Sequence, residues 1–277
     1  MYSKMYSLST LSVLEFSGHD ASQFLHDQLS ADIVGLAPGQ STFACYCNPA
    51  GRVLGLLSVS PLDGSIFTIC SSGLAGYLLE LFSKYIIRAD VRITLRDDLA
   101  VVVNIQTGEI DPLVIMKTAT GLDYAITSAT TEAVQADSQQ AQDWKMKELG
   151  KGIAWLDEAS SAKFLPQMLG YEQIGALSFT KGCFPGQEII ARTRYLGKLK
   201  RRPLLLHIDE NISFEVNEKI TLIENDETCS AIVVDRAKGV AQDQLLFVVV
   251  RAAEEIKPNL LRAGDREIKV SHFSATI

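Results

Sequence analysis

The chain has 277 residues, 47% of them hydrophobic and 21% charged, which excludes a disordered or collagen-like chain and predicts two or three domains. Its 26 Lys and Arg face 33 Asp and Glu, a net charge of −7 that argues against a whole-surface grip on nucleic acid or an anionic membrane. Any anion site must therefore be a local exception. The five cysteines (Cys45, Cys47, Cys70, Cys183 and Cys229) show no framework spacing. Neither a signal peptide nor an apolar run of roughly 18 residues is visible, so a reduced, cytoplasmic protein is expected.

In chain order, Leu11 to Phe16 reads as a strand, and Ser17-Gly18-His19-Asp20 matches a capping box before a helix ending near Leu29. His19 and His26, seven apart, would share a face of that helix, but two histidines alone make no metal site, and none is expected. Cys45 and Cys47 would share one face of a strand, and Cys45, Cys70 and Cys229 read as structural. Asn48-Pro49-Ala50-Gly51 is turn chemistry and leads into a strand over Val53 to Ser60. Asp63-Gly64 then predicts a hairpin into Ser65 to Cys70. Leu74, Leu78, Leu81 and Tyr85, with Tyr77, Phe82 and Ile86 beside them, carry helical spacing. Two more strands, Val91 to Leu95 and Ala100 to Ile105, complete a pattern that suggests a ferredoxin-like α+β module.

Thr130 to Gln142 is polar, and a helix through Trp144, Met146 and Leu149 is expected to end at Gly150. Beyond Pro203 come five short apolar or alternating runs, Leu204–Ile208, Lys219–Ile223, Cys229–Val234, Leu245–Val250 and Ile268–Phe273. Turn residues part them, which predicts a C-terminal antiparallel barrel or sandwich.

The most unusual stretch is Lys181-Gly182-Cys183-Phe184-Pro185-Gly186-Gln187-Glu188. Two glycines and a proline around one cysteine predict a tight, shaped loop. It is not a phosphate loop, since the Gly-Lys-Ser/Thr ending is missing. Cations nearby would favour a thiolate at Cys183, whereas a free cysteine is more often a small buried apolar group. Arg192, Arg194, Lys198, Lys200, Arg201 and Arg202 place six positive charges in eleven residues, the local exception to the acidic average. They suit carboxylates or phosphates, or serve as a solvated linker.

These residues carry a family resemblance. Phe164-Leu165-Pro166-Gln167, Ile174 to Phe179, the Lys181–Glu188 stretch, Ala191-Arg192 and Lys200-Arg201 resemble the YgfZ family of folate-binding proteins. Ser17 to Asp20, Gln28 to Asp32 and Cys47 to Arg52 match as well, so the likeness spans nearly the whole chain. The resemblance implies a relative of the glycine-cleavage T-protein: an α+β, three-domain cloverleaf around a central channel. A discontinuous folate-binding domain (1–46 and 112–200), a ferredoxin-like domain (47–111) and a C-terminal β-barrel (201–277) are expected.

By the same resemblance, the protein binds tetrahydrofolate or a derivative and supports assembly or repair of iron–sulfur enzymes, including tRNA-modifying ones. Cys183 is its functional thiol, and Lys181, Gly182, Gly186, Gln187, Glu188 and Arg192 are its motif neighbours, with Gln167 and Arg194 as further folate-binding candidates. Lys147-Glu148-Leu149-Gly150 is similar to the T-protein's Leu-Glu-Ala-Gly, which makes Glu148 a candidate pterin anchor, against a plain helix-surface role. The sequence departs from these patterns at Asn48, Phe184 and Gly170-Tyr171. Gly55-Leu56 stands where the T-protein has its acidic pair, which weakens the alternative of a folate-dependent aminomethyl or C1 transferase, since general acid–base work needs an ionisable group in reach. The partners implied are folate and iron–sulfur client enzymes, with no membrane. Direct nucleic-acid binding ranks last, because the basic strip holds Tyr195 as its one aromatic.

Overall fold

A computed structural model describes residues 5–105, 112–130, 134–197, 199–210, 212–225, 227–239, 243–251 and 257–274. Lys198 of the basic strip, residues 131–133 of the polar stretch and the end of the expected 47–111 domain lie outside them. The chain divides into two compact units, residues 1–136 with 175–187, and residues 137–174 with 188–277.

The first unit contains β1 (Tyr6–Ser7), β2 (Leu11–Ser17), α1 (Ala21–Gln28), β3 (Thr42–Cys47), β4 (Val53–Leu62), β5 (Ser65–Ser71), α2 (Ser72–Ser83), β6 (Arg92–Leu95), β7 (Leu99–Val103), β8 (Val114–Met116), β9 (Tyr124–Ser128) and β10 (Val134–Gln135). They form two five-stranded sheets, ordered β3-β4-β5-β2-β6 and β10-β1-β7-β9-β8. The four strands expected to make a ferredoxin-like module are present, but they do not share a sheet. β6 pairs with β2, and β7 leaves to pair with β1 and β9. Helical and strand spacing locate elements without naming their partners, and this topology corrects the module.

Three local expectations change too. Ser17 ends β2 and the N-cap of α1 is Asp20, which makes no side-chain cap. The Asp20 carboxylate accepts from the Asp90 backbone N–H at 2.8 Å instead, so the tertiary contact outcompetes the box. His19 lies ahead of α1 and exposed, while His26 is inside it and mostly covered, so they share no helix face. On α2 the buried row is Leu74, Leu78 and Phe82, and Tyr85 lies beyond the helix, half exposed. Phe82 stacks on Tyr46 at 4.1 Å and meets Phe16 edge-on at 5.2 Å, so this helix face is core.

The second unit holds α3 (Ser138–Gly150), a 3₁₀ turn (Pro166–Leu169), α4 (Gln187–Tyr195) and the strands β11 (Arg201–Ile208), β12 (Lys219–Glu224), β13 (Glu227–Lys238), β14 (Gln244–Arg251), β15 (Leu260–Ala263), β16 (Arg266–Lys269) and β17 (His272–Ser274). A capping box does occur at α3: the Gln140 N–H donates to the Asp137 carboxylate at 2.7 Å and Gln140 Oε1 accepts the Asp137 N–H at 3.1 Å. Gly150 stays helical, and the left-handed turn belongs to Gly152, at φ +76°.

The strands form one sheet, β16-β15-β12-β13-β14-β11-β17. Flat, seven strands would span about 29 Å at ~4.8 Å each. Only Val270 and Ser271 part its two edge strands, a reach of about 11 Å, so the sheet has to curl toward closure. Its inner face packs Leu204, Leu206, Val233, Val248 and Val250. Lys145 on α3 reaches Asp235 at 2.7 Å, beside a register shift in β13, and fixes the helix on this sheet.

Candidate functional site

In the first unit, the segment carrying Cys183 is fixed at three places. Buried Ser30 donates its hydroxyl to the Ala176 carbonyl at 2.6 Å and its own carbonyl accepts the Ser178 N–H at 2.8 Å, which ties the segment to the residues after α1. The Lys181 ammonium donates to the backbone carbonyls of His26 and, at 2.6 Å, Leu29, at the negative end of the α1 dipole. Lys181 also lies 5.1 Å from the centre of the buried Phe184 ring. Gly186, at φ +81°, packs so tightly that a Cβ there would be 2.5 Å from the Asn48 carbonyl oxygen and 2.6 Å from Gly51 Cα. The turn it meets is the one expected at Asn48-Pro49-Ala50-Gly51: Asn48 Oδ1 accepts the N–H groups of Ala50 and Arg52, both at 3.0 Å. Two separate sequence motifs thus come together.

Between these anchors Gly182 and Cys183 are exposed. Three of the other cysteines, Cys45, Cys47 and Cys70, are buried instead. Burial pushes the Cys45 and Cys70 thiols up to about 12 and raises Cys47 as well, so all three are inert protonated thiols at neutral pH. Cys45 and Cys47 are both buried in β3, where the register shifts between Tyr46 and Cys47.

Burial lowers Lys181 to about 8, against the opposing pull of Asp27, Asp32 and Cys183. Between pH 8 and its ordinary 10.5, the unfolded chain holds a proton that the folded chain has released, so stability from this group rises with pH in that window. Urea unfolding of wild type and Lys181→Met from pH 7 to 10.5 should show the difference moving in favour of wild type above pH 8. A difference that stays flat would show that Lys181 keeps its ordinary proton affinity when folded.

In the second unit, Glu148 is not a helix-surface residue: it is 4% exposed. Its Oε1 accepts the indole N–H of Trp144 at 3.0 Å and of Trp155 at 2.9 Å. Trp144 lies one turn earlier on α3, and the backbone turn at Gly152 brings Trp155 back over the helix end. The chain has two tryptophans, and both orient this one carboxylate. Sequence reading missed them as its holders, although the four-residue spacing of Trp144 and Glu148 was a usable signal.

The same unit has a cavity of about 640 Å³ lined by Gln167, Gly170, Glu172, Thr193, Arg194 and Arg202, among others. It brings together two of the expected ligand residues, Gln167 and Arg194. Gln167 is buried and donates Nε2–H to the Ile190 carbonyl at 2.8 Å, while its Oε1 has no partner among the described residues. Arg194 is ion-paired with Glu172. Arg192 is exposed on α4, two positions and about 200° around the helix from Arg194. Glu188 is an exposed residue of the α4 first turn and Gln187 is half-buried at its start. The basic strip is therefore not one patch. Arg201 and Arg202 are adjacent on β11 and point to opposite faces, Arg202 lining this cavity and Arg201 another cleft.

No family model matches the chain. Among curated proteins it is 26% identical to the tRNA-modifying protein YgfZ of Klebsiella pneumoniae (strain 342), over 94% of this chain and 88% of the relative. It is 28% identical to the protein of that name from Edwardsiella ictaluri, over 91% of this chain and 85% of the relative. Among solved structures, the glycine cleavage system aminomethyltransferase T of Bartonella henselae superposes with a TM-score of 0.72 at 13% identity, covering 98% of this chain and 85% of that one. The chain is thus similar to the YgfZ proteins over most of its length and shares the fold of aminomethyltransferase T.

Proposed function

We propose that this protein is a tetrahydrofolate-binding accessory factor that supports assembly or repair of iron–sulfur enzymes, tRNA-modifying ones included, with Cys183 as its working thiol. The observation that carries the reading is the cysteine segment: three anchors hold it, and the thiol it presents is exposed while three others are buried and inert. The residues present also suit a folate. Glu148 is a buried carboxylate with a fixed orientation, able to pair with adjacent N–H donors of a pterin. The cavity at Gln167, Arg194 and Arg202 offers cations for a glutamyl carboxylate and a buried amide oxygen still without a donor. Bound there, the folate would supply one-carbon or redox chemistry; the chain's own residues bind it and present a thiol. The three-domain cloverleaf around a central channel, with its domain limits, and a cytoplasmic location belong to this proposal.

The transferase alternative gains no support from β4. Gly55 and Leu56 are buried there, and a Cβ on Gly55 would be 3.0 Å from Leu78, so no acidic side chain stands or fits at that place without a shift. Titrating tetrahydrofolate into the purified protein should give saturable binding, unaffected by Cys183→Ala. That variant should keep the fold and lose complementation of iron–sulfur enzyme activity in cells lacking the protein. Absence of saturable binding overturns the folate half of the proposal, and full complementation by Cys183→Ala overturns the thiol half.

A further inference from the structure

The outer face of the C-terminal sheet carries a second basic cleft, of about 380 Å³, lined by Lys200, Arg201, Ser230, Ile232, Val249 and Arg251. Alternation explains its composition. On β11 and β14, Leu204, Leu206, Val248 and Val250 face the core, so Arg201, Val249 and Arg251 face outward. Arg201 and Arg251 are direct partners in the β11–β14 ladder. Like charges placed opposite each other across a ladder repel and destabilise the pair. Lys200 adds a third positive charge, and none of the described residues lining the cleft is acidic. Val249 and Ile232 make an apolar floor, with the Ser230 hydroxyl at its rim.

We propose that this cleft is a binding site for a small, multiply charged oxyanion carrying an apolar portion, separate from the cavity at Gln167 and Arg194 and independent of the folate reading. Two arginines held side by side each offer a forked pair of N–H donors, and a bound oxyanion turns their repulsion into a shared attraction. The apolar floor suits a ligand whose body is less polar than its charged end.

The signature is thermal stability of the full chain, scanned with pyrophosphate, with triglutamate and with NaCl at matched ionic strength. Wild type should show a saturable rise in Tm with pyrophosphate beyond the NaCl response; a rise with triglutamate in its place would identify the oxyanion as a polycarboxylate. Arg251→Gln should melt higher than wild type at low salt without ligand, because the repulsion is gone, and bind the oxyanion about ten- to a hundredfold more weakly. Arg201→Gln should behave alike and guards against a folding defect in one variant. A wild-type response no larger than that to NaCl, or a saturable rise unchanged in both variants, would overturn the proposal.

Discussion

Gly186→Ala is expected to destabilise the first unit by about 2–4 kcal/mol, far more than a typical exposed Gly→Ala change. Two costs combine. At φ +81° any side chain strains the backbone, and a Cβ at 186 also strikes main-chain atoms of Asn48 and Gly51 that have no rotamer to move out of the way. Gly64 separates the two costs, because it has the same φ of +81° and nothing within 4 Å of the point a Cβ would occupy. Gly64→Ala should therefore cost only about 1–2 kcal/mol. The excess in Gly186→Ala measures how firmly the cysteine segment sits on the Asn48–Gly51 turn. Urea unfolding gives the two values. Equal losses in both variants would show that the close packing contributes nothing.

That packing also marks what the sequence could and could not reveal. The Gly-framed cysteine was legible because glycine and proline restrict the backbone locally, and the Asn48 turn was legible for the same reason. Their meeting was not, since nothing in either stretch encodes a contact across more than 130 positions. In the first unit β2, β4, β5, β6 and β7 lie where strands were expected, while β1, β8, β9 and β10 were not foreseen. β6 and β7 pair with β2, β1 and β9 rather than with each other, because periodicity fixes a strand's faces and leaves its neighbours open. The capping box shows the limit of a local motif. Ser17 to Asp20 has the pattern without the cap, since Asp90 claims the carboxylate, while Asp137 and Gln140 form a full box inside a stretch read as merely polar. The basic strip was legible as charge. Its division between two clefts follows from strand alternation once β11 is known to start at Arg201.

Glu148 is the residue whose reading changed most, and its substitution separates fold from function. Glu148→Ala strands the indole N–H groups of Trp144 and Trp155, both buried, at about 1–3 kcal/mol each, so a loss of about 3–5 kcal/mol is expected. Glu148→Gln keeps an acceptor oxygen for the two indoles and nearly the same volume, and should cost under about 1.5 kcal/mol. It replaces the second carboxylate oxygen with an N–H₂ donor, which opposes the N–H donors of a pterin. Tetrahydrofolate affinity in Glu148→Gln should accordingly fall at least about tenfold, the loss of one charge-assisted hydrogen bond. Because both tryptophans of the chain bond this carboxylate, intrinsic fluorescence reports on it directly: folate binding should perturb the emission of wild type, and the Glu148→Gln titration should shift to higher ligand concentration. A Gln variant that binds tetrahydrofolate as wild type does would reduce Glu148 to a holder of two indoles and move the pterin anchor elsewhere.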